Sequence, residues 1–188
     1  NPYGRTKLIF EGVMRDYAHA FELGGIALRY FNVAGGAADG FIGEDHDPET
    51  HLIPIVLEAA AGQRDAITIF GDDYPTPDGT CVRDYIHVED LADAHVRAVE
   101  AVAPGQVEVF NLGNGDGFSV QQVIEAAERV VGSEIPRKMG DRRPGDPPTL
   151  VASSDKITRE LGWRAARADL DTIIADAWAF HRRHPDGY

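Results

Sequence analysis

Apolar residues recur at helical spacing in several stretches of this chain, and short β-branched runs lie between them. From Tyr3 to Leu23 the residues Phe10, Val13, Met14, Tyr17 and Phe21 follow the rhythm of one buried helical face, and Gly24 and Gly25 end the segment. IALRYFNV, from Ile26 to Val33, reads as a strand. A polar loop rich in Gly and Asp follows, too long for a plain connection, which suits a binding or covering role. LIPIVLEAAAG predicts a short helix and AITIF a short strand. The segment GDDYPTPDGTCVRDYIHV mixes turn and apolar residues and leads into a helix from Glu89 to Ala103. VEVFNLG predicts a strand, and Ser119 with Gln122 fits a capping box opening a helix striped by Val120, Val123, Ile124, Ala127, Val130 and Val131. EIPRKMG is strand-like, DRRPGDPP forms turns, and helices over 155–161 and 170–183 close the pattern before Pro185. Alternating strands and helices without internal repeats define an α/β protein.

At 188 residues, 43% hydrophobic and 26% charged, the chain has the composition of a soluble globular domain of ordinary size. A net charge of −13 opposes phosphate backbones, which argues against nucleic acid and anionic membrane surfaces. An anionic ligand must therefore meet arginines placed locally. The single cysteine, Cys81, cannot close an internal disulfide, which suits a reducing cytoplasm. No apolar run reaches membrane-spanning length.

Tyr3 and Lys7 stand one helical turn apart, where an ammonium favours the phenolate and prepares it to take a proton from a hydroxyl. A packed tyrosine beside an exposed lysine has the same spacing and is common by chance, so on the pair alone that plain reading prevails. NLGNGDGFS lies between a strand and a helix, but the last glycine of G-x-G-x-x-G falls at Phe118, which makes a tight structural turn the better reading. Gly35, Gly36 and Gly40 miss that spacing too. GEDHDPETH gathers carboxylates with His46 and His51 but lacks the ligand spacing of zinc or calcium sites, so a solvated loop and no metal are expected. Arg83 lies inside an apolar stretch, and Arg142 and Arg143 share a turn. Forked guanidinium donors suit a diphosphate, while ion pairing with nearby carboxylates is an equal alternative.

Taken in order, NPYGRTK, RYFN, IFGDDYPTPDGTCVRDYIHVEDLADAH, FNLGNGDGFSV, RRPGDPP and ELGW closely resemble the UDP-glucose 4-epimerase family of extended short-chain dehydrogenases/reductases. The likeness runs along essentially the whole chain, and the long central string is its most specific part. The resemblance implies an NAD-dependent isomerase that interconverts UDP-glucose and UDP-galactose through a 4-keto sugar. In it Tyr3 is the base on the 4-hydroxyl, Lys7 lowers the tyrosine pKa and bonds the nicotinamide ribose, and Phe31 touches the nicotinamide. Asn32 meets the substrate, and His51 and Leu52 line the diphosphate region. Thr68, Ile69 and Phe70 meet the uracil, Arg83 and Arg143 clamp the diphosphate, and Asp146 bonds the uridine ribose.

His51 stands where many relatives have asparagine. Leu150 stands where some carry a tyrosine that narrows the sugar pocket, so N-acetylated UDP-hexosamines are expected to enter as well. The family's nucleotide-binding half precedes the catalytic tyrosine. The resemblance thus implies a C-terminal portion: a Rossmann-type remnant over 1–34, then a UDP-sugar region over 35–188 with some segments returning to the Rossmann sheet. Most of the NAD site would lie outside this chain, which is expected to be inactive alone. Apolar surface on the Tyr3 helix and the following strand is expected to be exposed or covered in a homodimer. A UDP-sugar-binding module without catalysis, and a related dehydratase or pentose epimerase, are the competing readings. The string DYPTPDGT favours the hexose epimerase.

Overall fold

The computed structural model describes residues 1–188. Its first helix, α1, spans Pro2–Phe21, with the Asn1 side chain accepting from the Gly4 N–H at 2.8 Å and a proline in the first turn, where no intrahelical donor is lost. The helix ends two residues earlier than the glycine pair suggests, because Glu22 adopts the left-handed conformation at φ 56°. The predicted strand over 26–33 is two strands, β1 (Gly25–Arg29) and β2 (Asn32–Ala34), separated at Tyr30 and Phe31. Then come α2 (Leu52–Ala60), β3 (Ile67–Phe70), β4 (Val82–Arg83), β5 (Tyr85–His87) and α3 (Val88–Ala101). The order continues with β6 (Val107–Asn111), β7 (Phe118–Ser119), α4 (Val120–Val131), β8 (Arg137–Gly140), β9 (Thr149–Leu150), α5 (Asp155–Leu161) and α6 (Leu170–Arg183).

The break at Tyr30 and Phe31 lets the two strands take different partners. β1 runs parallel to β6, with Ile26 opposite Glu108, and β2 runs parallel to β5, with Asn32 opposite Tyr85. β3 is parallel to β8, and β4 sits between antiparallel β7 and parallel β9. Parallel pairing with helical crossovers is the arrangement that the alternating pattern predicts.

Two apolar clusters hold these pieces. The larger joins α2, β3, α4 and α6 through Val56, Leu57, Ile67, Val123, Ile124, Ile173 and Ile174. The smaller joins β5, α3, β6 and α5 through Ile86, Leu91, Phe110 and Ile157, and is closed by the buried Trp163, whose indole donates to the Asp90 carbonyl at 2.9 Å. α1 corrects the face expected from its rhythm. Glu11 and Ala18 are its buried residues, while Phe10, Val13, Tyr17 and Phe21 are exposed. The side facing β1 is fastened by the Glu11 carboxylate, which takes both forks of Arg29 at 2.6 Å, and the apolar side stands exposed.

Candidate functional site

A cavity of about 370 Å³ opens among β3, β5, α2, the start of α4 and the turn before β9. Strand alternation brings much of its chemistry there. Across β4 and β5, Cys81, Arg83 and Tyr85 point into it, while Asp84 between them points away. In β3, Thr68 and Phe70 reach the cavity while the Ile69 side chain is buried in the larger apolar cluster. Asn32 comes from the start of β2, His51 and Leu52 from the start of α2, and Arg143 and Asp146 from the turn.

Arg83 is held in place before any ligand arrives. Its guanidinium donates to the Val82 and Pro147 carbonyls at 2.8 and 2.9 Å and lies 3.7 Å from the Asp146 carboxylate. Of the two turn arginines, Arg142 faces elsewhere: it pairs with Asp73 at 2.5 Å and covers the Tyr74 ring. Arg143 takes part in no such ion pair and lies flat over Phe70, 4.0 Å from the ring centroid. Burial pushes the Tyr85 phenol well above its ordinary value, so it stays a neutral hydroxyl.

Asp84 explains the glycine-rich turn. Its buried carboxylate accepts the Asn114 N–H at 2.8 Å and the Ala152 N–H at 3.0 Å. A side chain at Gly113 would collide with that carboxylate and with the Ala152 carbonyl. The turn is therefore wrapped around a protein carboxylate, with the Asn114 amide already committed, and does not fit a cofactor pyrophosphate. Burial raises the Asp84 carboxyl above its ordinary value, and the two N–H bonds pull against that rise.

The polar loop closes on itself at the cavity mouth. His51 Nδ1 lies 2.7 Å from Glu44 and 3.0 Å from Glu49, and the His46 ring meets the His51 ring edge-on. The three groups form a compact cluster that the sequence spacing does not reveal. Glu49 also accepts the Thr50 and His51 backbone N–H groups, so its role in the loop is already structural. Burial raises the Glu44 carboxyl, opposed by the adjacent His51.

Tyr3, Lys7 and Phe31 do not line this cavity. Tyr3 and Lys7 share one face of α1, with the ammonium 5.2 Å from the phenol ring, and both are exposed. Phe31 is exposed next to Asn32, which does line it. Leu150 is half-buried beside the cavity, paired in register with Arg83. Sequence reading passed over Tyr85, Cys81 and Thr50 as lining residues. The first two could have been found by counting in steps of two from Arg83.

These elements define an α/β protein of the Rossmann-like class, with a guanidinium-lined cavity beside its parallel strands. The chain belongs to the NAD dependent epimerase/dehydratase family, whose pattern matches residues 1–113. It is 53% identical over 189 residues to the UDP-glucose 4-epimerase of Lacticaseibacillus casei, with all of this chain and 57% of that protein aligned. A structure of the Bifidobacterium longum UDP-glucose 4-epimerase in complex with NAD+ and UDP superposes with a TM-score of 0.93 at 40% identity, covering 100% of this chain and 56% of that one. The UDP-Glc/GlcNAc 4-epimerase of Campylobacter jejuni superposes with a TM-score of 0.78 at 43% identity, over 97% of this chain and 56% of that one. The chain thus spans a little over half the length of the relatives it matches.

Proposed function

We propose that this chain supplies the substrate-binding and proton-transfer residues of a UDP-hexose 4-epimerase that interconverts UDP-glucose and UDP-galactose. The observation that carries this reading is the single cavity in which Thr68, Phe70, Arg83, Arg143 and Asp146, drawn from three separate segments, face one another. Arg83 and Arg143 hold the diphosphate, Asp146 bonds the uridine ribose, and the strand carrying Thr68, Ile69 and Phe70 takes the uracil. His51 and Leu52 flank the diphosphate, and Asn32 orients the sugar. Tyr3 Oη takes the proton of the 4-hydroxyl, and the Lys7 ammonium supports the phenolate and bonds the cofactor ribose. NAD, when bound, supplies the hydride acceptor. Within this chain the exposed phenol, ammonium and Phe31 ring fit its nicotinamide end, whereas the turn around Asp84 does not fit its pyrophosphate.

Titrating the 188-residue chain with UDP by calorimetry tests the reading. Micromolar binding is expected, weakened at least about tenfold in Arg83→Ala, which removes a charge-assisted donor pair. Absence of UDP binding, or equal binding by the variant, refutes it. The chain alone is expected not to interconvert the two sugars, and detectable turnover would overturn that part. The half-buried Leu150 beside Arg83 leaves room at the sugar end, so UDP-N-acetylhexosamines are expected to bind and Leu150→Tyr to exclude them. Equal affinity of both forms for UDP-N-acetylglucosamine contradicts this.

A further inference from the structure

His51 stands at the N-cap of α2, yet its side chain caps nothing. The ring meets the preceding loop instead: Nδ1 lies 2.7 Å from Glu44 Oε1 and 3.0 Å from Glu49 Oε1, while Nε2 makes no hydrogen bond within the protein. The same residue lines the cavity with Arg83 and Arg143, and α2 begins there without a side-chain acceptor for its first N–H groups, a second feature that favours an anion. Both partners of Nδ1 are carboxylates, so one proton is held between that nitrogen and the two acids. A diphosphate oxygen brings no hydrogen near neutral pH, and Nε2 can meet it only as an N–H donor. The ring must then hold two protons, and the paired carboxylates stabilise that imidazolium. We propose that Glu44 and Glu49 are positioning residues that present His51 to the diphosphate as a cation, so that the nucleotide sugar binds together with a proton.

The inference rests on the nucleotide reading above and deepens it. Burial lifts the Glu44 carboxyl, His51 draws it down and Glu49 lifts it again, the mutual influence of groups that share protons. Other titratable groups nearby must be told apart from His51. The His46 ring meets it edge-on at 5.3 Å. Asp45 of the same loop, Glu58 of α2, and His181, His184 and Asp186 at and beyond the end of α6 share a neighbouring pocket with Glu44 and Glu49. Cys81 and Asp146 line the cavity itself, beside Arg64, Arg83 and Arg143, which stay charged.

Calorimetry of UDP-glucose, whose diphosphate keeps a constant charge, in buffers of different ionisation enthalpy counts the protons taken up on binding. From about pH 6 to about pH 8.5, uptake of up to about one proton per chain is expected, with affinity falling as the pH rises by at most about tenfold per unit. His51→Asn keeps an amide donor for the phosphate and should bind without uptake, whereas His46→Gln and His184→Gln should take up the proton as before. Glu44→Gln tests the positioning role, because Glu49 also holds the loop backbone. It should weaken UDP-glucose about two- to fivefold near pH 8 and recover near pH 6, where the solution supplies the proton. A Glu44 that merely holds the loop would lower affinity equally at every pH, and one that only repels the diphosphate would make the variant bind more tightly. Either result overturns the proposal, as does binding without uptake in the unaltered chain or uptake retained in His51→Asn. The unaltered chain and Glu44→Gln decide if His51→Asn does not fold. Binding of UDP-glucose without a proton leaves the nucleotide reading standing, whereas absence of binding at every pH discards that reading and this inference together.

Discussion

The buried Glu11 carboxylate of α1 makes its close contact with the half-exposed guanidinium of Arg29, with side-chain exposures of 7% and 51%. The asymmetry sets the direction of a mutational test. Arg29→Ala leaves the carboxylate buried with only Arg15, 3.9 Å away, near it, whereas Glu11→Gln leaves Arg29 free to turn into water. Arg29→Ala should therefore destabilise the chain by roughly 2–3 kcal/mol and Glu11→Gln by about half as much, measured by urea unfolding at neutral pH. The Arg29 hydrogen bonds hold the Glu11 carboxyl below its ordinary value of 4.5 against the opposing effect of burial. With the folded value depressed, the stabilisation is complete above pH 4.5 and is lost as the pH falls through the lower folded value. Unfolding midpoints taken downward from pH 6 should drop less steeply in Glu11→Gln, and parallel pH profiles would contradict the assignment. Asp84 calls for a different comparison. Asp84→Ala strands the Asn114 and Ala152 N–H groups and should cost about 2–4 kcal/mol. Because Arg83 and Leu150 flank that anchor, it should also weaken UDP binding without any contact to the ligand.

The elements differ in how openly the sequence announces them. α4 is legible because its start is chemical as well as periodic: both arms of the capping box form, Ser119 Oγ accepting from Gln122 N and the Gln122 side chain accepting from Ser119 N. Its other end is marked by Gly132 in the left-handed conformation. α5 and α6 are equally clear, because each apolar stripe meets a stop. β7 and β9 leave no trace, since two residues carry no period and exist only where β4 lies between them. The break between β1 and β2 is hidden for a related reason: Tyr30 and Phe31 are strand formers, and only the choice of two partners shows the interruption. The cavity follows the same division. Arg83 and Arg143 are visible as cations in apolar or turn contexts, but no local pattern shows that Asp73 takes Arg142 and leaves Arg143 to Phe70. Ser119 has a second duty that its cap does not reveal, a hydrogen bond to Asp78 in the loop before β4. Burial pushes the Asp78 carboxyl up, but hydrogen bonds from Ser119 and Thr80 outweigh it and hold the group below its ordinary value. Ser119→Ala should thus cost about 2 kcal/mol, twice a typical cap, while Gln122→Ala costs about half that. Equal losses in the two variants would mean that the Asp78 contact contributes nothing.

On the scale of the whole molecule the unpaired apolar face of α1 sets the behaviour in solution. Phe10, Tyr17 and Phe21 are each more than half exposed on one face of α1, with the exposed Val13 beside them, an apolar patch of the kind that isolated folded chains cover. The chain as a whole carries −13, so two copies repel each other in most orientations. α1 departs from that average, with Arg5, Lys7 and Arg15 against Glu11 and Asp16, and copies can approach there with the least repulsion. Self-association through α1 should therefore strengthen as salt rises toward about 0.5 M, because screening removes the global repulsion and leaves the apolar contact. Sedimentation at several salt concentrations reads this directly. Phe10→Glu and Phe21→Glu should shift the chain to monomer at every salt concentration. Their unfolding midpoints should stay within about 0.5 kcal/mol of the original, since both rings already stand in water. Variants that sediment like the original chain would show that this face is not where copies meet, and association that weakens with salt would show that charge pairing, rather than the apolar patch, holds them together.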